Sequence, residues 1–228
     1  MIKACIFDLD GTIADTVESI AYAVNRVLVH FGLPARPVEA YNFYAGDGFD
    51  MALQRALYDA GDPEGKYLKE GITLGRAWFQ EDPLYHVKPY DGMPEVLFEL
   101  KRQVPIAVCS NKPHDAAVHV VESIYGKGFF SWIQGQMEGI PKKPSPIGPL
   151  AIAGRFGANP EECLYFGDTN TDMQTGLAAG MYTIGVTWGF RPRSELIENG
   201  AMALIDTPQD ILRIYKEKSD EQDQTDCQ

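Results

Sequence analysis

Short apolar runs alternate with amphipathic stretches along most of this chain of 228 residues. The runs have the length of buried parallel strands, and the stretches between them repeat apolar residues every three or four positions, as helices do. Predicted strands are residues 4–7, 106–109, 163–166, 182–186 and, more weakly, 201–205. Predicted helices are residues 94–102, 115–125, 146–156 and 171–179. This alternation predicts an α/β protein with a doubly wound parallel sheet.

A long helical segment interrupts the alternation after the first strand. From Asp15 to about Tyr85 no convincing strand is found, and the apolar positions form helical stripes instead. The clearest stripe ends at Gly32 and Pro34 and consists of Ile20, Ala21, Val24, Val27, Leu28 and Phe31. We therefore predict a core of residues 1–14 and 87–218, and an inserted all-helical cap of residues 15–86. Residues 219–228 lack apolar periodicity and are predicted to be a disordered tail.

Composition and charge narrow the class of protein. Apolar residues make up 45% of the chain and charged residues 23%, which is close to the globular norm. The formal net charge of −12 opposes a general affinity for nucleic acid or for anionic membranes. No stretch approaches the roughly 20 apolar residues of a membrane span, and the four cysteines lack zinc spacing. We therefore expect a soluble cytoplasmic protein with neither nucleic-acid nor membrane partners.

Two acidic motifs follow predicted strands. Asp8-Leu9-Asp10-Gly11-Thr12 places two carboxylates after the first strand, at the sheet edge where open α/β sheets bind ligands. In the second motif, Asp168 follows another apolar strand and Asp172 stands one helical turn later. An ordinary Asp-Gly turn is the structural alternative for the first motif, and helix capping is the alternative for Asp172.

Carboxylates that converge on one crevice repel one another unless a cation lies among them. Hard oxygen ligands, without a histidine cluster or thiolates, favour Mg²⁺ over zinc, and Mg²⁺ leaves room for a phosphate oxygen. The two acidic motifs therefore predict a Mg²⁺ site.

Two further segments carry groups of the opposite polarity. Ser110-Asn111-Lys112 ends a predicted strand just before a helix, whose free N–H groups could bind an anion, although Ser110 could equally be an ordinary cap. The proline-rich segment 139–146 contains Lys142 and Lys143 in an otherwise acidic protein. These lysines are either a solvated pair or a positioned ammonium that neutralises an incoming phosphate.

In their order along the chain, motifs 8–12, 110–112, 143–144 and 167–172 resemble the four motifs of the haloacid dehalogenase-like hydrolase superfamily. The helical insertion is similar to the first cap type of that superfamily, and the resemblance spans roughly residues 1–215. Within the superfamily the chain is most similar to phosphoglycolate phosphatases, a likeness strengthened by the run 185–191. The resemblance implies a Rossmann-like core with a helical cap.

The resemblance also implies an activity and the residues that perform it. It implies a Mg²⁺-dependent phosphatase, with 2-phosphoglycolate the first substrate to test, in which Asp8 attacks phosphorus to form an aspartyl-phosphate. Asp10 would act as general acid and then general base. Ser110 and Lys143 would hold the transferring oxygens.

The same resemblance implies the ligands of the metal and of the substrate. The implied Mg²⁺ ligands are Asp8, the main-chain carbonyl of Asp10, and Asp168, and Asp172 would orient either Lys143 or a metal-bound water. The implied phosphate- and substrate-binding residues are Thr12, Ser110, Asn111 and Lys143.

Specificity is expected to come from the cap. The run Ala45-Gly46-Asp47-Gly48-Phe49 is a glycine-rich loop that enters a helix, so Gly46 and Gly48 could reach the leaving group, or the loop could be a plain turn. Candidate partners for a substrate carboxylate are Arg26, Arg55 and Arg76, which the sequence does not rank. The histidines are expected at the surface or in packing rather than in catalysis.

Several other functions stay open at this point. A pyrophosphatase, a phosphosugar phosphatase or a phosphosugar mutase would use the same motifs. A phospho-receiver signalling module also uses strand-end acids around Mg²⁺, although the cap would cover the open face it needs, and a catalytically idle metal-binding protein is a third class. A dehalogenase is disfavoured because a halide leaving group needs no acid such as Asp10. The expected partner is a small phosphorylated metabolite, and the protein could be a monomer or a homodimer.

Overall fold

The computed structural model describes residues 1–226 and is built around a parallel sheet. The strands are β1 (Ala4–Phe7), β2 (Ala14–Asp15), β3 (Lys88–Pro89), β4 (Ile106–Pro113), β5 (Trp132–Gln136), β6 (Cys163–Gly167), β7 (Tyr182–Val186) and β8 (Ala203–Ile205). Six of them form one sheet in the order β5-β4-β1-β6-β7-β8, and every neighbouring pair is parallel. The predicted doubly wound α/β fold is confirmed.

The register of the central strand decides where the strand ends meet. Phe7, the last residue of β1, is paired with Val108 of β4 and with Phe166 of β6. The rings of Phe7 and Phe166 stack with their centroids 4.6 Å apart. Because the three strands run parallel and in step, the polar residues that follow them emerge at one edge of the sheet.

Ten α-helices are found within the described residues. They are α1 (Val17–His30), α2 (Tyr41–Tyr44), α3 (Phe49–Ala60), α4 (Leu68–Glu81), α5 (Met93–Leu100), α6 (His114–Tyr125), α7 (Ile147–Arg155), α8 (Asn170–Ala178), α9 (Arg193–Glu198) and α10 (Asp210–Asp226). Within residues 1–226, none combines the length and the apolar character needed to cross a membrane. The predicted helices 94–102, 115–125, 146–156 and 171–179 match α5 to α8 to within two residues at each end.

Helices α1 to α4 form a helical insertion, residues 17–81, with its own apolar cluster. Val24, Val27 and Leu28 of α1 are fully buried there with Leu53 of α3, as the predicted stripes require. Helix α4 packs closely against α3 at Gly75, which faces the ring of Phe49. A Cβ at that position would lie 2.4 Å from an atom of the ring, so a larger residue would not fit. Phe190, from the segment after β7, also joins this cluster and so connects it to the sheet.

The structure differs from the predicted elements at several places. A short antiparallel pair, β2 with β3, joins Ala14 to Pro89 and Asp15 to Lys88 at the two ends of the insertion. Strand β4 extends through Pro113, and the edge strand β5 had no counterpart in the prediction. The domain boundaries at residues 14 and 87 stay a prediction.

The C-terminal residues were predicted to be disordered from position 219, but in the structure α10 continues through Asp226. Its exposed face carries ion pairs at helical spacing, Arg213 with Glu217 and Lys218 with Glu221. Such ion pairs can stabilise a helix that has little apolar periodicity. The prediction of disorder relied on that periodicity alone and therefore missed the helix. Residues 227 and 228 lie outside the described residues.

Candidate active site

Three buried aspartates converge at the edge of the sheet. Asp8 follows β1, Asp168 follows β6, and Asp172 lies in the first turn of α8. One carboxylate oxygen from each of the three lies within 4.8 Å of the other two. The parallel register brings together residues that are 160 positions apart in sequence, as the strand-end pattern predicted.

Lys143 lies between two of these carboxylates. Its Nζ donates to Oδ1 of Asp8 at 2.6 Å and to Oδ1 of Asp172 at 2.7 Å, and only 8% of the residue is exposed. Burial by itself would lower the pKa of Lys143, but the carboxylates of Asp172 and Asp8 outweigh it and raise that pKa well above its usual value. Lys143 is therefore a charged ammonium held against Asp8, and not a solvated surface lysine.

Burial and mutual repulsion disfavour the ionised aspartates. Burial raises the pKa of Asp8 well above the usual carboxyl value, Asp172 and Asp168 add to the rise, and Lys143 opposes it. Burial and the charge of Asp172 raise the pKa of Asp168 to about 7. The cluster therefore carries more negative charge than Lys143 alone can balance.

Asp168 is held rigidly by its neighbours. Its Oδ1 accepts a hydrogen bond from Oγ1 of Thr12, and its Oδ2 accepts one from the backbone N–H of Phe190, each at 2.8 Å. Gly11 has a φ of +89°, and a Cβ there would lie 2.2 Å from Oδ2 of Asp168, so only glycine fits. The hydroxyl of Thr12, which was expected to bind phosphate, is thus directed to Asp168.

Asp172 makes contacts of two kinds, one with the N-terminus of α8 and one with Lys143. Thr169 at the N-cap of α8 donates to Oδ2 of Asp172 from its backbone N–H at 3.1 Å and from its hydroxyl at 2.6 Å. Oδ1 of Asp172 accepts from Lys143 and, at 3.3 Å, from the hydroxyl of Tyr165. Both oxygens already accept bonds from protein donors, an arrangement that caps the helix and orients Lys143.

Asp10 has a lysine partner that the sequence did not assign. Nζ of Lys112 donates to Oδ1 and Oδ2 of Asp10 at 2.9 and 3.2 Å. Only 7% of Lys112 is exposed, and its Nζ lies 4.9 Å from the centre of the Phe79 ring. The sequence offered one signal for this pair, namely a lysine two positions after Ser110, at the end of a strand in an acidic protein.

Ser110 and Asn111 have different environments. Ser110 lines the cavity described below, and its Oγ accepts from the backbone N–H of Lys112 at 3.2 Å. The Asn111 side chain accepts from the backbone N–H of Lys143 at 2.9 Å and donates to the Lys143 carbonyl at 3.3 Å. It also donates to the carbonyl of Gly46 at 3.3 Å. Asn111 therefore positions the Lys143 loop and connects it to the insertion.

The structure has a cavity of about 550 Å³ in the insertion and a larger one of about 780 Å³ above Asp8 and Asp10. The lining of the two cavities shows which of the predicted substrate-binding residues face the site. From the sheet edge the larger cavity is lined by Asp8, Asp10, Ser110, Asn111, Lys112, His114 and His119, and from the insertion by Gly46, Gly48, Phe49, Arg76 and Phe79. Gly46 and Gly48 therefore do face the site, as does one of the three candidate arginines. Two histidines expected at the surface or in packing also line it.

The other two candidate arginines are occupied elsewhere. Arg26 lines the smaller cavity and pairs with Glu81 at 3.0 Å. Arg55 pairs with Asp47 and donates to the Tyr44 carbonyl at 2.8 Å. Neither arginine is among the residues that line the larger cavity.

A buried arginine holds the insertion to the sheet. The guanidinium of Arg191, a residue 6% exposed, donates to the backbone carbonyls of Asn42, Phe43 and Ala45, and pairs with Glu195 at 3.1 Å. Because Phe190 donates to Asp168, adjacent residues of one segment contact both the acidic cluster and the insertion. A second link joins Oγ1 of Thr171 to Oδ1 of Asp47 at 2.6 Å.

Arg191→Lys is expected to loosen this attachment. A lysine cannot reproduce the fork of donors that reaches three carbonyls, so the free energy of unfolding should fall by about 2 kcal/mol and KM should rise. Urea unfolding and steady-state kinetics measure the two effects. Unchanged values of both would show that these hydrogen bonds do not hold the loop that precedes Gly46.

The sequence of the chain is similar to those of known proteins. The family model described as haloacid dehalogenase-like hydrolase matches residues 5–186. The chain is 30% identical over 213 residues to a phosphoglycolate phosphatase of Aquifex aeolicus, covering 93% of this chain and 96% of the relative. It is 31% identical over 192 residues to one of Pseudomonas putida, covering 82% of this chain and 70% of the relative.

A solved structure also resembles the fold over nearly the whole chain. The structure of a predicted phosphoglycolate phosphatase from Haemophilus somnus superposes with a TM-score of 0.86 at 26% identity. The match covers 94% of this chain and 98% of that protein. The likeness therefore includes the helical insertion as well as the sheet.

Proposed function

Because the chain belongs to the haloacid dehalogenase-like hydrolase family, we propose that it hydrolyses small phosphate monoesters through an aspartyl-phosphate on Asp8, with Mg²⁺ as cofactor. The observation that supports this proposal most is the position of Lys143, whose ammonium lies 2.6 Å from Asp8, a residue that lines the larger cavity. A carboxylate held against a cation beside a cavity is suited to attack an anionic phosphorus centre.

The first half of the reaction transfers the phosphoryl group to Asp8. A carboxylate oxygen of Asp8 forms a bond to phosphorus while the bond from phosphorus to the ester oxygen breaks. Asp10, which lines the same cavity, gives a proton to the departing oxygen, so that the product is a neutral alcohol. Lys143 balances the charge of Asp8 and of the transferring oxygens, and the hydroxyl of Ser110 is available to bind one of those oxygens.

The second half returns Asp8 to its starting state. Asp10, now ionised, takes a proton from a water molecule as that water attacks phosphorus. The bond between Asp8 and phosphorus breaks, and inorganic phosphate leaves. Asp10 thus acts first as an acid and then as a base, so it is protonated again at the end of each turnover.

The charges around the cavity fit a divalent cation. The ionisable groups here are four carboxylates and two ammonium groups, those of Asp8, Asp10, Asp168, Asp172, Lys112 and Lys143. When all of them are ionised, two negative charges have no positive partner. Asp8, Asp168 and the Asp10 carbonyl would hold the metal, and their hard oxygen atoms suit Mg²⁺. When bound, Mg²⁺ would supply a positive charge that lets two anions approach each other.

The substrate proposed first is 2-phosphoglycolate, because relatives aligned over most of the chain are phosphoglycolate phosphatases. The cavity of about 780 Å³ would also admit larger esters, so sugar phosphates and nucleoside monophosphates belong in the same trial, together with pyrophosphate.

The decisive experiment is phosphate release from this panel, measured with added Mg²⁺ and with a chelator. Release that requires Mg²⁺ supports the proposal, and the best substrate by kcat/KM identifies the physiological class. The absence of release from every compound, in protein shown to be folded, would contradict it. A long-lived phosphoryl group on Asp8 without turnover would instead favour the signalling alternative.

Asp10→Asn is expected to separate the two halves of the reaction. An aryl ester such as p-nitrophenyl phosphate has a good leaving group and needs little acid assistance, whereas the attack of water still needs a base. The variant should therefore release a burst of nitrophenol equal to the enzyme present and then turn over about 100-fold or more slowly. Stopped-flow absorbance measures the burst. Slow turnover without a preceding burst, or steady-state turnover at the wild-type rate, would argue against Asp10 as the base in the second half.

A further inference from the structure

We propose that Lys112 binds the carboxylate of the leaving alcohol and thereby selects, among phosphate monoesters, those with a carboxylate on the carbon next to the ester oxygen. This inference rests on the proposed function, since it uses Asp10 as the residue next to that oxygen. It assigns a specificity-determining role to a residue that the sequence analysis placed in a motif but gave no role of its own.

The position of Lys112 follows from its contacts with Asp10. To protonate the leaving oxygen, the carboxyl group of Asp10 must lie within hydrogen-bond distance of it. Nζ of Lys112 is itself within 2.9 and 3.2 Å of the two Asp10 oxygens. The ammonium is therefore one carboxyl group away from the bond that breaks, and a carboxylate one carbon beyond that bond can reach it.

The burial of Lys112 makes a charge-assisted contact strong. Its side chain is 6% exposed, and the ring of Phe79, from the insertion, lies 4.9 Å from Nζ. An ammonium group has three N–H donors, and the two oxygens of Asp10 account for two of them. A donor therefore stays available for a second acceptor in a site that is shielded from water.

Charge explains why an anionic alcohol needs such a residue. The carboxylates of Asp8, Asp10 and Asp168 repel a second negative charge on the substrate. Lys143 does not lie beside the alcohol, because its ammonium is placed between Asp8 and Asp172, where it balances the charge of the transferring phosphoryl group. Lys112 lines the cavity at the level of Asp10, where the alcohol would lie.

Arg76 is the rival cation in the same cavity. Its guanidinium donates to Asp50 through Nε at 3.2 Å and through a terminal nitrogen at 2.8 and 2.6 Å. Its side chain is 54% exposed, so solvent screens its charge more than that of Lys112. The structure therefore favours Lys112, and Arg76 supplies a matched comparison.

The test compares 2-phosphoglycolate with ethyl phosphate, which has the same carbon count and no carboxylate. In Lys112→Met, kcat/KM for 2-phosphoglycolate should fall about 100-fold more than kcat/KM for ethyl phosphate, since a shielded ion pair is lost. Lys112→Arg should recover part of the preference. Arg76→Met should leave the ratio of the two kcat/KM values within about threefold of wild type.

Three results would overturn the inference while leaving the phosphatase intact: an equal loss for both esters in Lys112→Met, a collapse of the ratio in Arg76→Met, or no preference for 2-phosphoglycolate in wild type. The first of these would mean that Lys112 only positions Asp10. Release from neither ester, nor from any other compound of the panel, would instead refute the proposed function itself.

A measurement on wild type covers the case in which the Lys112 variants do not fold. Glycolate, the product carrying the carboxylate, should inhibit hydrolysis of ethyl phosphate competitively and at least about tenfold more strongly than ethylene glycol. Equal inhibition by the two compounds would contradict an anion-binding Lys112.

Discussion

Asp8→Asn is expected to reduce phosphate release from the preferred ester by at least about 10⁴-fold, to the level of the assay background. The amide has no anionic oxygen with which to attack phosphorus. Asp172 also contacts Lys143, but it cannot replace Asp8, because both of its oxygens already accept hydrogen bonds from other protein groups. The amide has nearly the volume of the carboxylate, so the fold should persist. An assay of phosphate release measures the loss of activity, and thermal unfolding of the same preparation measures whether the fold persists.

The control for this variant is Asp220→Asn, the same change at an exposed position of α10, which should keep wild-type activity. Acid quenching during turnover should also trap a phosphoryl group on wild-type protein, at Asp8 by peptide mass spectrometry, and none in Asp8→Asn. Activity of the variant above one hundredth of wild type, or a phosphoryl group found on another residue, would refute Asp8 as the nucleophile.

The sequence predicted the acidic cluster because its position depends on topology alone. Each of Asp8 and Asp168 follows a buried apolar strand, and parallel strands that pair in step bring such residues to one edge. The strand ends therefore identified the site without any knowledge of side-chain packing. Lys143 lies in a loop, where the sequence left a solvated pair and a positioned ammonium as alternatives, and only the resemblance to a known family favoured the second.

Contacts between loops could not be predicted in the same way. The pair Lys112 with Asp10 joins residues 102 positions apart, and it depends on how far β4 extends beyond the apolar run. Arg191 meets the carbonyls of a segment nearly 150 positions earlier, and backbone carbonyls leave no trace in a sequence. Such contacts depend on how the insertion sits on the sheet, which hydrophobic periodicity does not encode.

The missed strand has a different explanation. Strand β5 reads Trp-Ile-Gln-Gly-Gln and lies at the edge of the sheet, where only Gln134 and Gly135 are buried. An edge strand needs neither a continuous apolar run nor strict alternation, so its pattern resembles that of a loop. Gly135 supports the pairing, because a Cβ there would lie 2.6 Å from the backbone of His114.

Lys143→Met is expected to impair both catalysis and folding. Without the ammonium, the charge of Asp8 and of the transferring phosphoryl oxygens is no longer balanced, and turnover should fall about 10³-fold. The same change leaves Asp8 and Asp172 as buried carboxylates without their cation. At pH 8 in the presence of a chelator, the free energy of unfolding should fall by about 3–5 kcal/mol.

The loss of stability should depend on pH, and its sign follows from the direction of the pKa shifts. Lys143 has a raised pKa, so its contribution to stability is complete below the ordinary lysine value and is lost only as the pH rises through the raised value. Asp8 also has a raised pKa, so its burial costs nothing below the ordinary carboxyl value of about 4 and costs progressively more above it. The variant should therefore approach wild-type stability near pH 4 and fall increasingly below it towards pH 8.

Urea unfolding of wild type and Lys143→Met at several pH values between 4 and 8 measures this difference, with Lys216→Met as the matched change at an exposed lysine of α10. The exposed variant should follow wild type at every pH. A deficit in Lys143→Met that is the same at pH 4 and pH 8 would mean that the lysine stabilises the fold by packing its carbon chain. The electrostatic account requires that the deficit shrink as Asp8 takes up a proton, because a neutral carboxyl group no longer needs the ammonium beside it.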